Sequence, residues 1–215
     1  MKVTRLLGVA AIVLSGLIIV ACSSTPTSPS NTPSATPSPA AKKEPVPYTG
    51  KNCLSQMANA AARWQPDALP VHMESTLNAE SNGHDGKATV WRAMFASGSR
   101  RTNRTFTCSG SRLKDEPPIG VTVSAEGGSP PDIARSMFQP MLLIVDSDKA
   151  YETAEKNGGE NILKKDPQQP VIYSLDWDAK GKDLVWVVMF GTSRSDSKGV
   201  GVIDATTGKF LRAGK

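Results

Sequence analysis

Histidines are the first residues to consider for catalysis or metal binding, and this chain has two, His72 and His84. Neither has a Cys, Asp or Glu nearby at a spacing typical of metal ligands. His72 falls at an outward position of a predicted strand. His84 lies next to Asp85 in a turn rich in Gly, Asn and Asp, where such residues stabilise the turn itself. We therefore expect no metal site and no cofactor.

Four carboxylates could form the acid and base pair of a glycoside hydrolase. They are Glu74, Glu80, Asp176 and Asp178. Alternation with apolar residues places them on the solvent face of their strands, which favours simple solvation. The sequence also contains no Gly-x-Ser-x-Gly elbow and no phosphate-binding glycine loop. We therefore predict that the protein is not an enzyme, with an envelope hydrolase of unrecognised site as the alternative.

Arginines cluster in the segment SGSRRTNRT, at Arg100, Arg101 and Arg104. Such a cluster could bind an anionic partner such as lipid head groups, a wall polymer or an acidic protein surface. The alternative is a solvated hairpin loop, which short basic runs commonly form. The four tryptophans pose a similar choice between a binding platform and core packing, and their inward positions favour the core.

The N-terminus has the pattern of an exported, lipid-modified protein. Lys2 and Arg5 precede an apolar run, Leu6 to Ala21, that is too short to span a bilayer as a helix. The run ends in Ile-Val-Ala-Cys22, which resembles the lipobox of bacterial lipoproteins. The resemblance implies a signal peptide at residues 1–21, an acyl group such as palmitate on Cys22, and anchoring to a membrane. Ser23 in place of Asp favours the outer membrane if the cell is Gram-negative.

Residues 22–47 follow as a segment rich in Ser, Thr and Pro, without aromatic or large aliphatic side chains before Val46. This composition predicts a disordered, semi-extended tether between the lipid and the folded part. The chain has 25 basic and 20 acidic side chains, and loss of Lys2 and Arg5 with the signal leaves an excess of three positive charges. That excess is too small to indicate a nucleic-acid partner.

Two cysteines remain after lipidation, Cys53 and Cys108. In an exported chain, two leftover cysteines most simply form one disulfide, with two free thiols as the alternative.

An internal repeat organises the rest of the chain. The segment VWRAMFASGSR from Val90 aligns without gaps with VWVVMFGTSRS from Val185, so that Trp91 matches Trp186. An alternating Pro-Val strand precedes each copy, and a helical pattern precedes each of those strands. The two helical patterns are NCLSQMANAAARW, ended by Pro66, and KAYETAEKN, ended by Gly158 and Gly159.

A third strand completes each unit, RTFTC in the first and GVGVID in the second. The connecting segments IGVTVSAEGG and MLLIV are predicted as further strands. Neither unit could bury much apolar surface alone, so the two are expected to pack as one α+β domain.

The C-terminal stretch GVGVIDATTGKFL resembles the closing hairpin of the PepSY domain, in which a strand enters Asp-Ala-x-Thr-Gly-Glu and returns. In this chain Asp204 would accept turn amides and Gly208 would take the left-handed position. The first unit lacks this signature, and Lys209 replaces the usual acidic residue. The resemblance implies tandem PepSY-like units, which bind or restrain other proteins, peptidases included.

These observations predict a first PepSY-like unit at residues 48–145 and a second at residues 146–215. The expected function is a non-catalytic, membrane-anchored envelope module that binds a protein or peptide through an exposed sheet edge or the arginine loop. The alternative is a structural or surface-antigen lipoprotein without a specific ligand. The oligomeric state is left open.

Overall fold

The computed structural model describes residues 44–214. The signal sequence, Cys22 and most of the linker therefore lie outside the described residues. The helices are α1 Gly50–Trp64, α2 Ser147–Ala154 and α3 Glu160–Lys165. The strands are β1 Tyr48–Thr49, β2 Ala68–Thr76, β3 Lys87–Ala88, β4 Val90–Ser97, β5 Thr102–Ser109, β6 Gly120–Val123, β7 Gly127–Gly128, β8 Val171–Asp178, β9 Asp183–Phe190, β10 Gly199–Asp204 and β11 Phe210–Ala213.

One antiparallel sheet dominates the fold, with strand order β11-β10-β9-β8-β2-β4-β5-β6 and with β7 added to β5. The order is symmetric about the junction of β2 and β8. From this junction β2, β4, β5 and β6 follow one another outward on one side, and β8, β9, β10 and β11 do so on the other. Three residue pairs form this junction, centred on Met73 opposite Leu175. The mixed α+β class expected from the sequence is confirmed.

Helix α1 forms because its apolar residues recur at helical spacing and bury one stripe against the sheet. Cys53, Leu54, Met57 and Ala61 form this buried stripe. The helix ends before Pro66, which cannot donate a backbone hydrogen bond. Asp146 caps α2, accepting a hydrogen bond from the backbone amide of Ser147.

The second helical segment breaks where two glycines were expected to end it. Residues Glu155–Gly159 form a wider turn in which Gly158 has a φ of 125°. Glycine adopts this value without steric cost, whereas a residue with a Cβ would be strained. The chain then resumes as α3, a short helix that the sequence pattern did not predict.

The main core lies between the helices and one face of the sheet. Its largest fully buried side chains are Trp91, Trp186, Tyr173, Phe95 and Phe190. Burial of these aromatic groups supplies much of the apolar area removed from water. Trp64 and Trp177 are only partly buried but also pack on this core.

A disulfide joins Cys53 on α1 to Cys108 on β5, as predicted from the cysteine count. It links the first helix to the sheet across 55 residues of sequence. The expectation of a strand in MLLIV is wrong. Residues Pro140–Leu142 form a 3-10 turn, and the carbonyl of Ala205 accepts backbone hydrogen bonds from Ile144 and Val145. A proline at the start of that turn presets the helical φ and explains the difference.

Residues Lys42–Lys215 form one compact unit. Since the main core belongs to this unit alone, Lys42–Lys215 is a suitable fragment for solution experiments.

Candidate functional site

A groove runs between α1 and the sheet edge at β6. It has a volume of about 500 Å³, and its floor is formed by Trp64 and Phe106. Their rings lie 6.2 Å apart in a tilted arrangement. Val121 and Val123 of β6 form one wall, and the exposed face of α1 forms the other through Gln56, Asn59 and Arg63.

Strand β6 is the last strand on this side of the sheet, and β5 is its partner. The amide of Ser124 donates to the carbonyl of Thr105, so Ser124 faces β5. Because antiparallel ladders alternate every residue, the backbone groups of Thr122 also face β5, whereas those of Val121 and Val123 face away from it. Val123 is 49% exposed. The edge therefore offers free backbone donors and acceptors beside an apolar floor.

The three predicted arginines do not share one role in the structure. Arg104 lies with its guanidinium carbon 5.4 Å from the centre of the Trp64 ring, a cation–π contact. Its Nε is 3.6 Å from a carboxylate oxygen of Glu126, and Arg100 approaches the same carboxylate at 4.0 Å. Arg101 lies in the turn between β4 and β5, with a φ of 54°. Glu126 thus offsets one of the three positive charges expected of an anion-binding patch.

Glu126 also fixes the floor of the groove. The indole nitrogen of Trp64 donates to this carboxylate at 2.7 Å. The carboxylate therefore positions the Trp64 ring, and the Arg104 guanidinium lies over the face of that ring beside the groove.

A second concavity lies on the sheet face opposite the helices. It is a wide cleft of about 1230 Å³ that contains four of the predicted carboxylate and histidine residues, His72, Glu74, Asp176 and Asp178. His72 Nδ1 is 2.6 Å from Asp176, and His72 Nε2 is 3.4 Å from Glu74. The junction between the two halves of the sheet brings these residues together, because His72 and Asp176 are register partners of β2 and β8.

The chemistry of this histidine favours a charged structural link. The hydrogen bond to Asp176, supported by Glu74, raises the pKa of His72 to about 9. The hydrogen bond from His72 lowers the pKa of Glu74 below its ordinary value. A pKa in this range keeps His72 mostly in the imidazolium form at neutral pH, in which both ring nitrogens donate, here to Asp176 and Glu74. Ser174 donates to Asp176 at 2.8 Å and not to His72, so these residues do not form a nucleophile–base pair.

The remaining predicted residues take part in local structure. Glu80 lies in a turn, not on a strand as expected, and its carboxylate accepts hydrogen bonds from the Ser111 hydroxyl and the Arg112 amide. His84 Nε2 lies 2.6 Å from the carbonyl oxygen of Gln169. Asp178 forms an ion pair with Arg212 at 2.9 Å, which lowers the pKa of Asp178.

Across residues 44–214, no group of three or more His, Cys, Asp and Glu side chains has the geometry to hold a metal ion. In the same part of the chain, none of the helices combines the length and hydropathy that a bilayer crossing requires.

Comparisons with known proteins give one structural likeness. A crystal structure of a candidate lipoprotein from Clostridium difficile 630 matches with 14% identity and a TM-score of 0.48, over 81% of this chain and 95% of that chain. No family model and no curated protein matches the chain.

Sequence reasoning missed both Glu126 and the groove. The groove arises where α1 crosses β5 and β6, and Trp64 and Glu126, which are 62 positions apart in sequence, meet there. The exposed apolar pattern IGVTV was the one available signal, because an edge strand with valines on its outer face is unusual without a partner.

Proposed function

We propose that this protein is a lipid-anchored envelope module that binds an extended polypeptide segment by strand addition to β6. The open edge of β6 beside the groove of Trp64 and Phe106 carries this proposal. Strand addition takes its affinity from backbone hydrogen bonds and its selectivity from side-chain pockets beside the edge. The outward backbone groups of Val121 and Val123 could supply the hydrogen bonds, and the groove beside them could supply the side-chain pocket.

The groove indicates what the bound segment must contain. A residue of the added strand that points toward α1 would meet the apolar floor, so an aliphatic or aromatic side chain is favoured there. Arg63, on the α1 wall, is free of any ion pair among residues 44–214. An acidic residue two positions along the segment would pair with it, since alternate residues share a face.

The predicted lipobox supports the location proposed for this activity. An acyl group on Cys22 would hold the module at the exported side of a membrane, with the linker as a spacer. The hairpin at Asp204 and Gly208 supports tandem PepSY-like units, a class associated with binding and restraint of other proteins. A peptidase is therefore one candidate partner, and the outer membrane is the proposed site if the cell is Gram-negative.

The experiment uses residues Lys42–Lys215 and a displayed library of random linear 12-residue peptides. Selected peptides should bind with micromolar affinity, and they should slow hydrogen exchange at the Val121 and Val123 amides. Val123→Pro removes one outward donor without touching the ladder to β5, because proline is tolerated at the free side of an edge strand. Binding should fall at least tenfold in this variant.

Val123→Thr is the matched control, because it keeps the amide and the branched shape. Its affinity should stay within about threefold of the original protein. Thermal melting of both variants checks that the fold is intact. The proposal is wrong if selected peptides bind Val123→Pro as tightly as the original protein, or if they protect amides elsewhere.

A further inference from the structure

The sheet face opposite the helices carries a second apolar cluster that no element covers in the described part of the chain. Its members are Val185, Val187, Met189, Val200 and Val202, with Ile172 and Leu211 packed beside them. Val187 and Met189 are each 6% exposed although they point away from the helices. A sheet face that no helix or second sheet covers normally carries polar side chains. Here the valines and Met189 pack on one another so closely that only 3–7% of each remains exposed, and they form an apolar floor for the cleft.

An ion pair partly closes one end of the cleft. Asp178 belongs to β8 and Arg212 to β11, and β9 and β10 lie between them. Three strand spacings correspond to roughly 14 Å in a flat sheet, yet the Arg212 guanidinium lies 2.9 Å from the Asp178 carboxylate. The two side chains therefore meet above the intervening strands. An α-helix with side chains is roughly 10–12 Å wide and would not pass beneath them.

The floor also lacks partners for a polypeptide backbone. Strand β9 pairs with β8 on one side and β10 on the other, so its backbone groups are used within the sheet. Peptide groups laid on this floor would lose water without gaining hydrogen bonds, which is costly. A hydrocarbon chain has no such requirement and gains from burial.

Two arginines give the rim of the cleft its charge. Arg92 and Arg194 both line the cleft and are exposed, and neither takes part in an ion pair within residues 44–214. Glu74 is the register partner of Arg92, but its carboxylate already contacts His72. Asp176 and Asp178 are likewise engaged, with His72 and Arg212. Because the single charge of His72 serves both Glu74 and Asp176, the cleft has an excess of one positive charge over its carboxylates.

We propose that this cleft binds a single-chain anionic amphiphile, with the alkyl chain along Val185, Val187 and Met189 and the anionic head at Arg92 or Arg194. The site is separate from the groove beside β6, and it does not depend on peptide binding there. The volume of about 1230 Å³ is sufficient for such a ligand and leaves part of the cleft to water.

Calorimetric titration of Lys42–Lys215 with decanoate, dodecanoate and tetradecanoate, each kept below its critical micelle concentration, tests the proposal. Affinity should rise about two- to fourfold for each added methylene group, as partial to full burial requires. Dodecyl maltoside should bind more weakly than dodecanoate, and dodecyltrimethylammonium more weakly still. The double variant Arg92→Gln with Arg194→Gln changes both rim residues. It should bind dodecanoate about tenfold more weakly and lose the preference for the anionic amphiphile.

Val187→Thr keeps the shape of the floor but adds a hydroxyl group, and it should weaken binding at least fivefold. Arg63→Gln and Val123→Pro alter the other groove and should leave dodecanoate affinity unchanged. The proposal is overturned if affinity does not depend on chain length, if the cationic amphiphile binds equally well, or if the rim variant binds normally. Val187-dependent self-association in sedimentation, or Val187-dependent binding of a helical peptide, would assign the face to a second copy or a protein partner instead.

Discussion

Trp91 and Trp186 meet edge to face at the centre of the molecule, with ring centres 6.1 Å apart. Each indole nitrogen donates a 2.9 Å hydrogen bond to a backbone carbonyl just before a helix, Trp91 to Tyr48 and Trp186 to Val145. Each accepting residue lies two positions before the first residue of its helix. The two halves of the sheet thus position their helices by the same contact.

Replacing either central tryptophan with phenylalanine should destabilise the protein by a similar amount. Each change removes a buried donor from a carbonyl and leaves a small cavity, at a cost of about 2–4 kcal/mol in the free energy of unfolding. Urea denaturation measures this. Trp177→Phe is the control, since that ring is partly buried and has no hydrogen bond within the described residues; it should cost less than about 1.5 kcal/mol. A mild effect at Trp186 with a severe one at Trp91 would contradict the equivalence of the two contacts.

Gly50 lies at the start of α1, where the two tryptophans leave no room for a side chain. A Cβ placed there would stand 2.4 Å from the Trp186 ring and 3.2 Å from the Trp91 ring. Gly50→Ala should therefore lower the melting temperature, because overpacking costs about 1–3 kcal/mol. Gly98→Ala is the matched control, since a Cβ at that turn meets no atom within 4 Å. Equal melting temperatures for the two variants would show that the ring positions adjust freely.

Reduction of the Cys53–Cys108 disulfide should destabilise the fold without abolishing its core. The bridge spans 55 residues, and a loop of that length corresponds to about 4 kcal/mol in the chain-entropy model. Thermal melting with and without reductant measures the difference. In the double variant Cys53→Ala with Cys108→Ala, the reductant should have no further effect. Free-thiol labelling of the unreduced protein would detect any unpaired fraction and contradict the bridge.

Stability should depend on pH through His72. Its pKa is raised to about 9 in the folded protein, first by the hydrogen bond to Asp176 and then by the one to Glu74. The folded state holds this proton more tightly than the unfolded state. The contribution of His72 to the free energy of unfolding is therefore complete below about pH 6.5 and is lost as pH rises through about 9.

NMR titration of the two histidines measures this directly. The His72 signal should titrate near 9, and Asp176→Asn should bring its midpoint down toward the ordinary range. In the original protein the denaturation midpoint should fall between pH 6.5 and 9, and in the variant this fall should be absent. A His72 midpoint near 6.5 in the original protein would show that the pair with Asp176 does not persist in solution.

Cys22→Ala should abolish incorporation of labelled fatty acid and release the protein from membranes in a fractionated bacterial host. The reason is that the proposed anchor is an acyl group and the rest of the sequence has no comparable apolar run. Ser23→Ala, at the next position, should leave labelling unchanged. Continued membrane association of the Cys22 variant would contradict the lipoprotein assignment.

Features that depend on neighbours in sequence could be predicted well. The spacing of Leu54, Met57 and Ala61 specifies a helix with one apolar stripe, since helical periodicity is a property of a short segment. Asp204 accepts the amides of Thr206 and Thr207, and Gly208 has a φ of 77°, as that turn sequence requires. The disulfide followed from the count of exported cysteines.

The prediction of a strand in MLLIV was wrong because the conformation of that segment depends on residues that are distant in sequence. Apolar composition alone does not distinguish a strand from a buried turn, and the contacts of that segment with Ala205 lie far away in sequence. Glu80 was likewise expected on a solvated strand, whereas Ser111 and Arg112 draw its carboxylate into a loop. Such pairings depend on how distant segments come together.

By itself, the sequence determined the α+β class, the first helix, the closing turn and the cysteine pair, because each rests on local periodicity, turn chemistry or a simple count. Only the tertiary structure decided that His72 would meet Asp176, 104 residues away, and that Glu126 would hold Trp64 beside an open strand edge. The physical reason is that the first contact follows from the register between β2 and β8, which belong to different halves, and the second from the packing of α1 on the sheet beside β6. A shift of one residue in that register would turn His72 to the opposite face of the sheet.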